Sequence, residues 1–421
     1  MSLSPVSGED VDRVRTAVRL SDRAVAALTT EFTRHGGPKT GLVIGVRPQS
    51  PVLIAVLEAV LADDRVTFVA ADDTTDEVRA FVADRGAWIA ERVRVLDSLD
   101  SLGAAERADV AIFAEPLTGL ADAARALLEQ VAQKLTEGGV VTVATLAAPG
   151  MADGASAELD RQTSFYGVGE DLLIRNRPPL HIHRLRFTAT PVAVAERLHP
   201  AVRPSSVRLT RTMNIDSNGI AAVGITLGLA VAAKAAGRRT PWWLVPALAT
   251  APIGMFFRDP ERDIPDDEAA IVAASDGKVL SVERITDKRL GDDEFLRVAV
   301  FLSVLDVHIN RSPVAGRVAD YFVEDGGYAA AMSPAAEHNV AAYTVLDTVH
   351  GTVVVAQRTG LIARRIVQRA PVGSMLAKGE RFGLIRFGSR TDVYLPADRA
   401  VPQVAVKDKV IGGATVIARW N

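Results

Sequence analysis

The chain has 421 residues, with 48 basic against 51 acidic, a formal net charge of −3, 48% hydrophobic and 24% charged residues. This composition leaves room for two or three domains and excludes a largely disordered chain. It shows no global basic field, so no nucleic-acid partner is expected. There is no cysteine, which removes disulfides, thiol nucleophiles, Fe–S clusters and Cys-ligated zinc. With only seven histidines, no metal site is assigned. The first 20 residues are polar and charged and show no secretory leader, so the cytoplasmic side is expected.

Residues 1–37 read as amphipathic helix, with Leu20, Val25, Leu28 and Phe32 at helical spacing. Apolar runs at 41–46, 66–71, 108–113 and 140–146 read as strands, with helices over 51–61 and 121–135 between them. Strands alternating with helices imply a parallel sheet, and a first domain is placed at 1–195. Residues 196–217 read as a linker. Residues 218–257 are the most apolar stretch: two uncharged arms, Gly219–Ala233 and Trp242–Phe257, flank Gly237-Arg238-Arg239-Thr240-Pro241. Each arm is short of the roughly 20 residues a spanning helix needs, so the pair reads as a hairpin dipping into one leaflet. From 258 to 421, short β-type segments at 278–282, 296–304, 316–321, 351–357, 361–367, 382–387, 393–395 and 410–418 suggest a compact barrel or sandwich. The expected fold class is therefore an α/β Rossmann-like N-terminal domain, an apolar helical hairpin and a mainly-β barrel or sandwich catalytic domain.

Two regions carry chemistry. In the first domain, the run at 41–46, Asp72 and Asp73 after the second strand, and Gly138-Gly139 before a later one resemble a class I methyltransferase-like fold over 38–146. There an acidic residue would meet ribose hydroxyls and a Gly-rich turn would approach the cofactor. The turn Gly45-Val46-Arg47-Pro48-Gln49-Ser50 has one Gly where close approach usually takes two or three. S-adenosylmethionine binding is accordingly expected to be lost.

In the last domain, Asp306 and His308 lie two apart and share one face of an extended chain. A His beside a carboxylate can carry protons near neutral pH. Near the C-terminus, Ser389 follows Gly388, whose uncrowded carbonyl is open to the Ser389 hydroxyl, and Arg386 and Arg390 flank the pair as candidates to stabilise an oxyanion or hold an anionic substrate.

The strings Phe256-Phe257-Arg258-Asp259-Pro260-Glu261-Arg262, Ala274-Ser275-Asp276-Gly277-Lys278-Val279, Asp306 to Pro313, Gly360 to Val367 and Arg386 to Arg390 occur in that order. Over about 213–421 the chain resembles the short, single-domain phosphatidylserine decarboxylases. The resemblance implies a proenzyme in which Ser389 attacks the Gly388 carbonyl, the chain parts between them, and Ser389 becomes a pyruvoyl cofactor. It implies His308 as proton carrier, with Asp276 or Asp306 orienting it, and Arg364, Arg386 and Arg390 as candidate contacts to the lipid. Longer relatives carry a second His where Arg311 stands, and an acidic residue often follows the Asn at Asn339-Val340. The implied substrate is phosphatidylserine, converted to phosphatidylethanolamine and CO₂. The two cleaved chains would stay together on the cytoplasmic side of an anionic membrane, with room for a homo-oligomer. Two alternatives stand beside this reading: an S-adenosylmethionine-dependent methyltransferase with a non-catalytic lipid-binding β domain, and a carrier module built on Lys407-Asp408-Lys409.

Overall fold

The structure, a computed structural model, describes residues 18–201, 206–236, 241–361, 365–386 and 389–421. The expectations placed on residues 1–17, Arg238, Arg239, Arg364 and Gly388, and on the side chain of Arg386, lie outside the described residues. The chain divides into two units, Met1–Pro204 and Ser205–Asn421.

The first unit interleaves α1 (Asp22–Thr33), β1 (Thr40–Val46), α2 (Pro51–Glu58), β2 (Arg65–Ala70), α3 (Thr75–Ala83), β3 (Val93–Leu96), β4 (Ala108–Phe113), α4 (Ala121–Ala132), β5 (Leu135–Leu146), α5 (Gly154–Tyr166), β6 (Gly167–Leu173) and β7 (Leu180–Leu185). Its sheet runs in the order β3-β2-β1-β4-β5-β7-β6. The first five strands are parallel, whereas β7 runs antiparallel to β5 and to β6. Side chains of α1, α2 and α3 fill one face and those of α4 and α5 the other. Strands covered on both faces need apolar residues at every position, which is why 41–46 and 140–146 read as continuous runs rather than alternations. The fold is Rossmann-like, as expected.

The second unit opens with β8 (Ser206–Arg208) and β9 (Met213–Asp216), then α6 (Ser217–Ala235), α7 (Leu244–Phe256) and β10 (Arg258–Pro260). The stretch read as a linker therefore carries structure: β9 pairs with both β8 and β10. The ladder Ile215 to Arg258, Asn214 to Asp259 and Met213 to Pro260 closes the base of the apolar hairpin. The remaining strands are β11 (Ala270–Val272), β12 (Gly277–Thr286), β13 (Glu294–Leu302), β14 (Ile309–Arg311), β15 (Gly316–Glu324), β16 (Ala341–Thr348), β17 (Gly351–Arg358), β18 (Arg365–Gln368), β19 (Met375–Leu376), β20 (Arg381–Arg386), β21 (Ser389–Pro396), β22 (Ala400–Pro402), β23 (Lys409–Val410) and β24 (Val416–Trp420). Eight of them form one sheet, β19-β15-β16-β17-β21-β13-β12-β23, and β14-β20-β18 and β11-β24-β22 form two smaller ones. The expected segment 410–418 is split by a turn into β23 and β24.

α6 has 19 residues, with 11% of its apolar window buried, and would reach about 28 Å along its axis. Leu227, Leu229, Val231, Val245, Leu248 and Met255 are exposed on the two helices. Thr250 donates to Thr226 across the pair at 3.2 Å, and Lys234 lies 5.3 Å over the Trp243 ring.

Candidate active site

Ser389 opens β21, an inner strand between β13 and β17. It pairs with Leu302, the last residue of β13. Side chains alternate across a strand, so Ser389, Thr391, Val393 and Leu395 face one side and Arg390, Asp392 and Tyr394 the other. The Ser389 side joins the main apolar core of the unit. Ser389 Oγ is buried with no hydrogen-bond partner among the described residues. Burying a hydroxyl unpaired costs about 1–3 kcal/mol, so such an atom is expected to be held for a purpose.

More polar groups collect on the same face. Thr391 Oγ1 and Ser275 Oγ share a 2.6 Å hydrogen bond. Gln357 pairs in register with Thr391, and its Nε2 donates to Asn310 Oδ1 at 2.6 Å. Asn310 and Gln357 are both fully buried. Asn310 Nδ2 and Gln357 Oε1 lack partners among the described residues, leaving one spare donor and one spare acceptor. Asn310 lies within the Asp306-to-Pro313 string without a role having been read for it, and the only signal for Gln357 was an amide closing the apolar run Val353-Val354-Val355-Ala356.

His308 follows the turn after β13, and its carbonyl accepts from Ile385 N at 3.2 Å, just ahead of Ser389 along β20. Its Nδ1 lies 2.9 Å from the carbonyl oxygen of Asp306. A carbonyl can only accept, so Nδ1 carries the hydrogen and the neutral ring keeps its lone pair on Nε2. Burial, offset only in part by this hydrogen bond, pushes the His308 pKa down to about 4. The ring packs on Phe256 with centroids 4.2 Å apart. Phe256 is the last residue of α7, and Phe256, Phe257, Ile215, Val307, Ile309 and Leu384 form one buried cluster. Arg258 donates to the carbonyls of Met255 and Leu305, tying the hairpin base to the turn before His308.

The other expected residues sit differently. Asp306 holds His308 through its carbonyl, because its carboxylate is turned back onto Ser303, accepting from the N at 2.8 Å and Oγ at 2.7 Å. The Asp276 carboxylate accepts from Arg262 at 2.9 and 2.7 Å and from Gly412 N at 2.8 Å; it fastens the C-terminal loop rather than orienting His308. The turn it stands on needs Gly277, with φ of +152° and a Cβ that would meet Phe301 O at 2.1 Å. Arg390 is buried on the face opposite Ser389, donating to Asp392 at 2.6 Å and to Glu337 at 3.1 Å. There it joins Arg358, Arg297 and Arg289 around Glu337 and Asp392. Burial would lift the Glu337 carboxyl, but Arg358, Arg297 and Arg390 hold it below the usual range. Arg390 is thus an internal ion-pair partner rather than a lipid contact. Arg311 is buried and donates to Asp259 at 3.1 Å; burial pushes its pKa down to about 10. Asn339 bridges Ala329 and the carbonyl of Thr359, a purely structural set of bonds.

In the first unit, strand order reverses between β1 and β4, the switch point outside which such sheets bind ligands. Arg47, just after β1, donates to Asp72 at 2.7 Å and to Glu115 at 2.8 Å, so the acidic residue expected to meet a ribose is paired within the chain. A cavity of about 330 Å³ lies at the opposite ends of the strands, lined by Thr40, Arg65, Arg94 and Ala108 among others.

Residues 250–418 match the family model for phosphatidylserine decarboxylase. The phosphatidylserine decarboxylase proenzyme of Symbiobacterium thermophilum is 49% identical over 166 residues, covering 39% of this chain and 77% of that protein. That of Desulfotalea psychrophila is 42% identical over 174 residues, covering 41% and 81%. An O-methyltransferase structure from Bacillus cereus aligns with 44% of this chain and 93% of its own at 15% identity, with a TM-score of 0.32. The family model and these relatives place the second unit among the decarboxylases. The chain belongs to the phosphatidylserine decarboxylase family. The matched stretch begins inside α7, so the first unit lies outside it.

Proposed function

We propose that this chain decarboxylates phosphatidylserine to phosphatidylethanolamine at a membrane surface, after cutting itself between Gly388 and Ser389. The observation that carries the proposal is the buried Oγ of Ser389, without a hydrogen-bond partner among the described residues, at the head of an inner strand. In maturation the Ser389 hydroxyl attacks the Gly388 carbonyl. Neutral His308, with its lone pair on Nε2, accepts the hydroxyl proton. The Gly388–Ser389 C–N bond breaks as the ester forms, and the freed Ser389 nitrogen takes that proton; elimination then releases the Gly388 carboxylate, and hydrolysis releases ammonia and leaves Ser389 as a pyruvoyl cap on residues 389–421.

The residues present fit such a group. Thr391, Ser275, Gln357 and Asn310 supply hydroxyls and amides on the face of Ser389, with a donor at Asn310 Nδ2 and an acceptor at Gln357 Oε1 still unpaired among the described residues. The pyruvoyl carbonyl supplies an electron sink that no natural side chain offers. Asn310 would take the carboxylate side of the serine headgroup and Gln357 its ammonium. His308 would relay a proton drawn from solvent to the carbon that has lost CO₂, because its resting ring is neutral. Ser389, Thr391, Asn310 and Gln357 are all buried, which would keep bulk water from the reacting carbon.

The apolar hairpin supports delivery from the bilayer. Extracting a lipid costs about 0.8 kcal/mol per CH₂ exposed, so the site must reach the interface. Phe256 joins the hairpin to His308 directly. The exposed Val304 and Leu305 in the turn before His308 extend the apolar surface. We place the enzyme peripherally, on the cytoplasmic face of an anionic membrane. Arg47 between Asp72 and Glu115 supports a first unit that no longer binds S-adenosylmethionine. The test is CO₂ release from phosphatidylserine vesicles by the wild type and Ser389→Ala. Release by the wild type alone is expected; equal release by both would overturn the proposal.

A further inference from the structure

The edge of the first unit carries a side-chain cluster that the decarboxylase reading does not use. His181 and His183 lie two apart on β7, so both project to one face, and α5 packs on that face with Asp160 and Thr163 one turn apart. One ligand atom each from Asp160, His181 and His183 lie within 4.8 Å of one another. His181 Nδ1 is 3.5 Å from Asp160 Oδ1. The two imidazole rings are 4.0 Å apart.

Both rings are held from behind. His181 Nε2 bonds Glu170 Oε2 on β6 at 2.9 Å, and His183 Nε2 bonds Thr145 Oγ1 on β5 at 3.1 Å. A carboxylate or hydroxyl on the far nitrogen fixes ring orientation and raises the basicity of the near one, as the outer partners of metal-bound histidines do. His183 Nδ1 meets Thr163 Oγ1 at 2.8 Å and so is the nitrogen turned toward α5. His183 is completely buried, so its ring is held in one orientation by these two contacts. Asp160 has an exposed side chain on a helix, with room for the rotamer change that would close the distance to a tetrahedral site of about 2.0–2.2 Å bonds.

We propose that Asp160, His181 and His183 form a binding site for a divalent transition-metal ion of the zinc type, with a fourth position left to water or the Thr163 hydroxyl. Two imidazoles and one carboxylate favour zinc over magnesium or calcium, which take oxygen ligands. The ion would clamp α5 to β7 far along the sequence from Ser389 and His308. The spacing His181-x-His183 was visible in the sequence; Asp160 and Glu170 were not assignable to it without the pairing of α5 and β6 with β7.

The experiment is calorimetric titration of zinc chloride into the chelator-treated full-length chain. One zinc per chain is expected, at micromolar affinity or tighter, with no heat from magnesium chloride. Asp160→Asn and His181→Gln should each weaken binding at least tenfold. Glu170→Gln should weaken it about tenfold while leaving the stoichiometry at one. Circular dichroism matched to wild type confirms that each variant is folded. Absence of zinc binding by the wild type, or undiminished affinity in both Asp160→Asn and His181→Gln, would overturn the proposal.

Discussion

His308 is tuned by where it sits. The Asp306 carbonyl fixes its tautomer, Phe256 covers its ring, and burial keeps it uncharged at neutral pH. His308→Gln should keep the fold and slow self-cleavage by about 10²–10⁴-fold, the usual weight of a general base; the rate of fragment appearance on denaturing gels measures this, and unaltered cleavage would remove His308 from the maturation step. The same burial predicts a pH effect on stability. The folded pKa of about 4 lies below the unfolded value near 6.5. Between these values the unfolded chain binds a proton that the folded chain does not, so stability is full above about pH 6.5 and falls as pH drops toward 4, by up to about 1.4 kcal/mol per pH unit. Denaturant titrations of the second unit at several pH values should show this slope in the wild type and a shallower one in His308→Gln. Ser389 and His308 stood out through the ordered strings and the family resemblance those strings carry, not through either residue alone. The fate of Arg390 was not, because a Gly-Ser-Arg string does not reveal that a strand starts at Ser389; once it does, alternation sends Arg390 to the opposite face. The carboxylates of Asp276 and Asp306 are likewise taken up by partners the strings do not reveal, the distant Arg262 and Gly412 for one and the nearby Ser303 for the other.

At the level of elements, the hairpin and β21 matter most. α6 and α7 leave large apolar side chains in solvent, while the β9–β10 ladder and the Phe256–Phe257 cluster anchor their base. A Leu or Val moved from water into lipid is worth about 1.5–3 kcal/mol, so Leu229→Ser, Val231→Ser and Leu248→Ser combined should lower partitioning onto anionic vesicles by at least about a hundredfold. Vesicle flotation tests this, with self-cleavage retained as the sign of an intact second unit; unchanged flotation would place the membrane contact elsewhere. The hairpin was readable because uninterrupted apolarity is a composition signal. β8, β9 and β16 were not: the first two are short and polar, and Ala341–Thr348 mixes small and polar residues whose strand state is set by pairing with β15 and β17.

For the whole molecule, the two units have separate cores, and the proposed cut falls within the second. After cleavage, β21 would remain hydrogen-bonded on both sides, to β13 and β17. Asp392 and Arg390, from the C-terminal piece, would stay paired with Arg358 and Glu337 from the N-terminal one. The fragments should therefore co-migrate in native gel filtration and separate only in denaturant; dissociation under native conditions would contradict that arrangement. The parallel order of the first sheet was legible from alternating apolar runs, whereas the antiparallel β6–β7 edge was not, since β6 is half exposed and rich in Gly and acidic residues. The account rests most directly on the covalent state of residue 389, read by mass spectrometry of the purified, denatured protein. It predicts two species, with residues 389–421 blocked at their N-terminus and lighter than the serine-headed peptide by one ammonia. A single intact chain of 44.8 kDa, or a fragment still beginning with serine, would contradict it.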